Sequence, residues 1–329
     1  CRLVRFKNNT LLTFLAFLLS ILGLIGPGFW DIKSPNPIKF ENDYLTRATL
    51  GLRFNPNSLD LDDKFNNSQI LSKNYFGKEI AIAWSKNFID QIDIEQRVSR
   101  VYFTQLPSDL NTYDINHKKK IFISIMLPLL LNGNEKVAIE RSNLIKSFKK
   151  GNFKKLKNFC RQYKIKIVDC ENISSLNNVK YETLRNLLLN RVNVFPISMM
   201  LAQAIVESGW GGSRFAQKGN ALFGQWTWDK KKGISPTGID RPSFAVKSFK
   251  NLQDSVDAYI LNLNTHSAYS KLRNYRKLIG NPQKFDGQKF SRYLDKYAII
   301  GFEYVKKINS MIKNNDLEKF NSLKLKVDN

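Results

Sequence analysis

Acidic residues, cysteine and histidine are all scarce in this chain. Its 329 residues carry 28 Asp and Glu against 52 Lys and Arg, with three cysteines and two histidines. His117 and His266 alone are too few for a histidine-based metal site. The cysteines, Cys1, Cys160 and Cys170, include no Cys-x-x-Cys pair, which removes the common thiol redox motif. No Cys-His finger spacing or base-stacking module is present, so the sequence offers no groove-reading or RNA-reading element. No internal repeat is evident either.

What is present supports a packed core. Hydrophobic residues make up 43% and aromatics 12%, enough to argue against global disorder. The length suits one large domain or two modest ones. The formal net charge of +24 attracts polyanions: nucleic acid, anionic lipid or an acidic cell-wall polymer. Charge alone does not choose among them, and much of it is lysine scattered among asparagine and isoleucine. Cys160 and Cys170 flank a basic segment. They form a disulfide if the chain is exported, or stay as two thiols; the spacing leaves both open.

The chain divides by composition. Residues 1–30 place Arg2, Arg5 and Lys7 before an uncharged, mostly apolar run from Leu11 to Ile25, which Gly26, Pro27 and Gly28 then break. This reads as a signal peptide or membrane anchor, although the run falls short of the roughly 20 residues of a full span. No Ala-x-Ala cleavage site stands out, which favours an uncleaved anchor with the remainder exported. Residues 31–67 are polar, with Pro35, Pro37 and Pro56, and read as a linker. Helical patterns follow over 77–101 and 118–131, where Pro128 and Asn132-Gly133-Asn134 suggest a kink or stop. Further helices are expected on both sides of Gly151, over 175–190 and over 192–208. The last has Pro196 at its first turn and Gly209 at its end. A glycine- and aromatic-rich insert over 211–250 holds short extended pieces at 222–228 and 243–249, and 164–168 is a weaker strand candidate. Helices return over 252–263 and 288–309, and 314–329 reads as a polar tail. The pattern is mainly α with a small β insert.

One acidic residue stands apart. In Ala202-Gln203-Ala204-Ile205-Val206-Glu207-Ser208-Gly209-Trp210-Gly211, Glu207 ends an apolar helix. The helix C-terminus disfavours negative charge, and apolar neighbours with Trp210 add a desolvation cost. Both effects raise a carboxyl pKa towards the value a general acid needs. Trp210, Phe223, Trp226 and Trp228 offer faces on which sugar rings stack. An ordinary helix-ending glutamate among core tryptophans would leave the same pattern.

The 202–211 motif, together with Asn220-Ala221-Leu222-Phe223-Gly224, resembles the signature of the glucosaminidase domain of bacterial peptidoglycan hydrolases. Phe244, Ser255, Tyr259 and Tyr269 are similar to a track of the same family, and Gly301-Phe302-Glu303-Tyr304-Val305 to its closing tyrosine motif. Upstream, 106–110 and 118–141 resemble the N-terminal region that some members carry. The resemblance spans about 70–313. It implies a mainly α (α+β) architecture: a lysozyme-like helical domain with a small β lobe over 181–313, on which a helical region over 68–180 packs. It implies hydrolysis of the β-1,4 bond between N-acetylglucosamine and N-acetylmuramic acid, no cofactor and no metal. Some members carry a broader amidase label. Glu207 matches the catalytic acid and Tyr304 the tyrosine near the cleft. Trp210, Asn220, Phe223, Trp226 and Tyr259 become the expected substrate-binding residues. The expected partners are peptidoglycan strands and, through residues 1–30, the inner membrane, with the enzyme in the periplasm of a Gram-negative bacterium and no role for nucleic acid.

The second catalytic group is less defined. Asp229 and Asp240 both lie in the glycine-rich insert. Asp240, before Arg241-Pro242, is slightly preferred, because Asp229 sits beside three lysines and is a natural surface ion pair. Neither is needed if the substrate's own acetamido group assists.

Overall fold

The structure, a computed structural model, describes residues 69–71, 78–166, 168–237 and 243–327. The apolar segment expected within residues 1–30 and the linker at 31–67 lie outside the described residues. Helices dominate, as the sequence pattern predicts, and a small three-stranded sheet forms the β lobe.

The core is built around two helices. α1 (Lys78–Glu95) packs on α2 (Ile115–Lys149), and α2 also packs on α5 (Ile197–Ser208) and α7 (Leu252–Thr265). Asp114 caps α2, its carboxylate accepting from the backbone N–H of Asn116 and His117 at 3.0 and 3.2 Å. Among the described residues α2 is the one helix long and apolar enough to cross a membrane, yet 67% of its most apolar stretch is buried inside the protein. It is a mid-chain core helix, so the described structure contains no N-terminal membrane segment.

α2 also corrects the expected break. It runs through Pro128, Asn132, Gly133 and Asn134 without stopping. A Cβ added at Gly133 would lie 2.6 Å from Ile260 Cδ1 and 3.0 Å from Val256 Cγ1, so glycine allows α7 to approach closely. Asn134 donates to Phe195 O at 2.7 Å and accepts from Phe195 N at 3.2 Å, while Asn132 donates to Gln253 Oε1 at 3.1 Å. These turn-forming residue types serve here as contacts between elements.

α3 (Phe153–Gln162) follows Gly151, and α4 (Asn178–Arg191) comes next. Residues 164–166 and 168 form no strand. Cys160 and Cys170 are joined in a disulfide with Cα atoms 6.2 Å apart. α6 (Arg214–Gly219) leads into the lobe, where β1 (Trp226–Thr227) and β2 (Gly233–Ile234) flank a central β3 (Ala245–Lys247) in antiparallel register. The helix expected over 288–309 is two: α9 (Gly287–Ser291) and α10 (Phe302–Asn314), with α8 (Ser270–Ile279) before them. Gly301, at φ +55°, marks the break. Of the segment 314–329, read from composition as a polar tail, the described residues to 327 fold back instead. Leu317, Phe320, Leu323 and Leu325 are buried, and Lys324–Leu325 pairs in parallel with Arg97–Val98.

Four arginines tie the helix ends together. Arg276, 1% exposed, donates to Asn190 O at 2.6 Å, Asn193 O at 2.8 Å and Asn264 Oδ1 at 2.8 Å, and lies over the Phe195 ring at 4.2 Å. Arg141 donates to Leu189 O and Val192 O at 2.5 and 2.7 Å, and Arg191 to Tyr163 O and Lys164 O at 2.5 and 2.8 Å. Arg273 takes Leu263 O and His266 O at 2.9 and 2.8 Å. These guanidinium groups satisfy carbonyls at and just beyond the ends of α3, α4 and α7. Burial holds the Arg276 guanidinium well below its usual pKa, with Arg273 and Arg141 adding to the effect. Replacing Arg276 with Met should lower unfolding free energy by roughly 3 kcal/mol or more, since several buried carbonyls lose their donor. Arg276→Lys should recover little, because an ammonium cannot span the same acceptors. Urea unfolding of both variants checks this.

Candidate active site

α5 delivers the key carboxyl. Pro196 precedes its first residue, and every residue of α5 except Glu207 is buried. Gly209, at φ +60°, ends the helix. The turn beyond it is held by Ser208, whose hydroxyl donates to Ala204 O at 2.6 Å and accepts from Gly211 N at 2.9 Å. Gly211 has φ +75°, and a Cβ there would lie 2.9 Å from Leu106, Leu110 and Phe122 side chains. The Ser-Gly-Trp-Gly part of the motif therefore shapes the exit from the helix and aims Glu207.

Glu207 opens onto a cleft of about 420 Å³. The lobe side of the cleft is Phe223, Gly224, Gln225 and Trp226. Asn262, His266 and Tyr269 come from α7 and the turn after it, and Lys296 to Ile300 come from the segment before α10. Tyr297 fastens that segment by donating to Phe223 O at 2.8 Å.

Behind the carboxyl lies a buried chain of polar groups. Tyr304 donates to Glu207 Oε1 at 2.7 Å, and Gln203 Nε2 donates to the Tyr304 hydroxyl at 3.0 Å. Tyr259 donates to Gln203 Oε1 at 2.6 Å. Ring stacking holds the tyrosines: Phe223 lies on Tyr259 at 3.8 Å with 6° between planes, and Tyr297 on Tyr304 at 5.4 Å with 8°. Glu207 Oε2 faces Gly224, where a Cβ would stand only 2.9 Å away. Gly224, at φ +58°, leaves room beside that oxygen.

Burial pushes the Glu207 carboxyl up to about 7, against the opposing pull of the Tyr304 hydrogen bond and the Lys307 charge. At neutral pH a large fraction of the group holds its proton, which fits proton donation to a leaving oxygen. Among the described residues lining the cleft, Glu207 is the only carboxylate. No group of three or more His, Cys, Asp or Glu that could hold a metal occurs among the described residues.

The expected site residues divide three ways. Glu207, Phe223 and Trp226 line the cleft, and Tyr304 touches Glu207 from behind. Tyr259 is fully buried one layer back, where it reaches Gln203 and not the cleft. Trp210 lies elsewhere: it packs edge-on against Phe122 at 6.0 Å, with Lys119 over its ring at 5.2 Å. Asn220, at φ +51°, is buried and donates to Phe249 O and Lys250 O at 3.1 and 3.3 Å, tying the lobe to α7. Trp228 is 74% exposed beyond β1. Asp229 caps the turn of Lys230–Lys232 and pairs with Lys232 at 3.1 Å, away from the cleft lining. Asp240 lies outside the described residues. Sequence reasoning gave no role to Gln203, Tyr297, Asn262, His266 or Lys296. Only Gln203 carried a signal, one helical turn before Glu207 on the same face.

Comparisons with known proteins show the family to which the chain is similar. The family described as mannosyl-glycoprotein endo-beta-N-acetylglucosaminidase matches residues 182–317. Protein bax of Escherichia coli (strain K12) is 31% identical over 234 residues, covering 68% of this chain and 80% of that protein. No solved structure matches the chain at a significant level.

The raised carboxyl has a stability consequence. A folded pKa of about 7 against an ordinary 4.5 means that the native state holds the proton more tightly than the unfolded chain. Native stability therefore falls as pH rises from 4.5 to 7. Glu207→Gln should match the parent protein near pH 4 and exceed it by about 3 kcal/mol above neutrality. Denaturant unfolding of both proteins across this range checks it; a pH-independent difference would contradict the assigned burial.

Proposed function

Since the chain belongs to the glucosaminidase-domain family of Bax-like proteins, we propose that it hydrolyses the β-1,4 bond between N-acetylglucosamine and N-acetylmuramic acid in peptidoglycan. Family membership assigns it in general terms to the glycoside hydrolases. The observation that carries the finer reading is a single carboxyl, raised to about 7 and open to an aromatic-lined cleft.

Glu207 is the general acid. Tyr304 occupies Oε1, so Oε2 carries the proton and faces the space beside Gly224. The proton passes to the glycosidic oxygen as the bond from that oxygen to C1 breaks. The substrate's acetamido oxygen bonds to C1 in its place. Glu207, now a carboxylate, takes a proton from water as the water oxygen attacks C1 and releases the acetamido group. The lack of a second carboxylate among the described lining residues supports this substrate-assisted route. Asp240 is the alternative base. Trp226 and Phe223 offer the apolar faces on which sugar rings rest.

The same lone carboxyl supports a second reading, a lytic transglycosylase, in which the muramoyl 6-hydroxyl replaces water. A non-catalytic wall-binding protein is a third. Export to an oxidising compartment such as the periplasm is supported by the Cys160–Cys170 disulfide, and an inner-membrane tether at residues 1–30 rests on the apolar run in their sequence alone. A net charge of +24 suits a polymer carrying peptide carboxylates and a membrane with anionic headgroups.

Purified protein is expected to release reducing sugar ends from peptidoglycan, and Glu207→Gln to slow this by about 10²–10⁴-fold while folding normally. Mass spectrometry of the products separates the readings. Anhydro-muramoyl ends would indicate the transglycosylase, and an unchanged rate in Glu207→Gln would remove Glu207 from the chemistry.

A further inference from the structure

We infer that Gln203 is a positioning residue: it fixes the direction of the Tyr304 hydroxyl and thereby selects which oxygen of Glu207 carries the catalytic proton. The inference rests on the hydrolase reading for its role in turnover, but not for its effect on Glu207.

A phenol has one proton to donate. The Tyr304 hydroxyl sits between Gln203 and Glu207, at 3.0 and 2.7 Å, and can send that proton either way. The Gln203 amide decides. With Nε2 towards Tyr304, that hydroxyl accepts from Gln203 and must donate to Glu207 Oε1. With the amide turned over, Tyr304 would donate to Gln203 and Glu207 Oε1 would lose its partner. Tyr259 breaks the tie. Its hydroxyl is fully buried, and Gln203 is the one acceptor it reaches among the described residues, at 2.6 Å. A turned amide would present Nε2 to Tyr259 and leave the Tyr259 proton without an acceptor, a costly state in a buried site. The direction Tyr259 to Gln203 to Tyr304 to Glu207 is thus set from its far end. Gln203 is itself fully buried and is not among the residues lining the cleft. Its influence passes through Tyr304.

The consequence is at Oε2. With Oε1 committed as an acceptor, the carboxyl proton resides on the oxygen beside Gly224, where a leaving oxygen can be met. The charged and titratable groups facing Glu207 are Tyr304 and Lys307 from α10, Tyr297 before it, and Tyr259 and Tyr269 from α7 and its following turn. His266 and Lys296 line the same cleft. Of these, Tyr304 is the one that both accepts from Gln203 and donates to Glu207.

The test is a cycle of Tyr259→Phe, which frees the Gln203 amide to turn its oxygen towards Tyr304, with Tyr304→Phe and the double variant, in the full chain. Two readouts are used: the Glu207 carboxyl titration followed by carbon-13 NMR, and the kcat and KM of peptidoglycan cleavage. Tyr304 donation pulls the carboxyl down, so each single variant should move the titration upwards, by about one pH unit where the donation is lost altogether. The double variant should move it no further than Tyr304→Phe alone. Turnover should fall about tenfold with KM unchanged, because geometry at the donor is lost and binding is not. A titration unmoved in Tyr259→Phe, or shifts that add in the double variant, would overturn the inference. Gln203→Glu, which offers Tyr304 an acceptor in place of the amide donor, repeats the test should Tyr259→Phe fail to fold; an unmoved titration there is equally contrary. If the titration behaves as expected and the parent protein cleaves no glycan, the positioning role stands and the hydrolase reading fails.

Discussion

A carboxyl shielded from water, with one phenol hydroxyl as its direct partner, is the constraint around which this protein is arranged. The Tyr304 hydrogen bond and the Lys307 charge both pull the Glu207 carboxyl down, yet burial outweighs them. Such a group is costly when ionised, and the cost must be met by stability elsewhere. Around it lie a fully buried helix, stacked tyrosines and a polar chain in which each amide and hydroxyl has a defined partner. A loose site would relax the carboxyl towards water and return it to an ordinary acid.

The rest of the fold supplies rigidity to that point. α2 runs behind the site and admits α7 at Gly133. Arg276 and Arg141 draw the end of α4 towards the core. The C-terminal segment packs against α5 through Leu317 and Phe320, while Asn321 accepts from Ser198 N at 2.8 Å. The region before residue 182, outside the glucosaminidase match, therefore shares one hydrophobic core with the region inside it. This explains how a long helix in the first half can support chemistry in the second.

Much of the architecture is legible in the sequence where local chemistry and tertiary context agree. Pro196 and Gly209 bracket α5 because their backbone preferences match the ends of a helix. Glu207 is legible because an acid closing an apolar helix has few structural reasons to be there. Other elements are hidden. Asn132, Gly133 and Asn134 look like a turn, but their side chains, or the lack of one, serve neighbours distant in sequence. The segment 292–301 has helical composition, yet Tyr297 is anchored to Phe223 and Gly301 takes a positive φ. Trp210 looks like a sugar platform and instead packs on Phe122. Gln203 was visible only as a neighbour of Glu207, since its partners, Tyr259 and Tyr304, come from helices that no spacing rule connects.

The central claim is that Glu207 Oε2 meets the bond to be broken. The most direct measurement is a crystal structure of Glu207→Gln with an uncleaved peptidoglycan fragment. The account predicts a glycosidic oxygen within about 2.6–3.2 Å of the side-chain atom that replaces Oε2, with a sugar ring against Trp226. A fragment bound away from this cleft, or one whose glycosidic oxygens all lie beyond reach of residue 207, would contradict it.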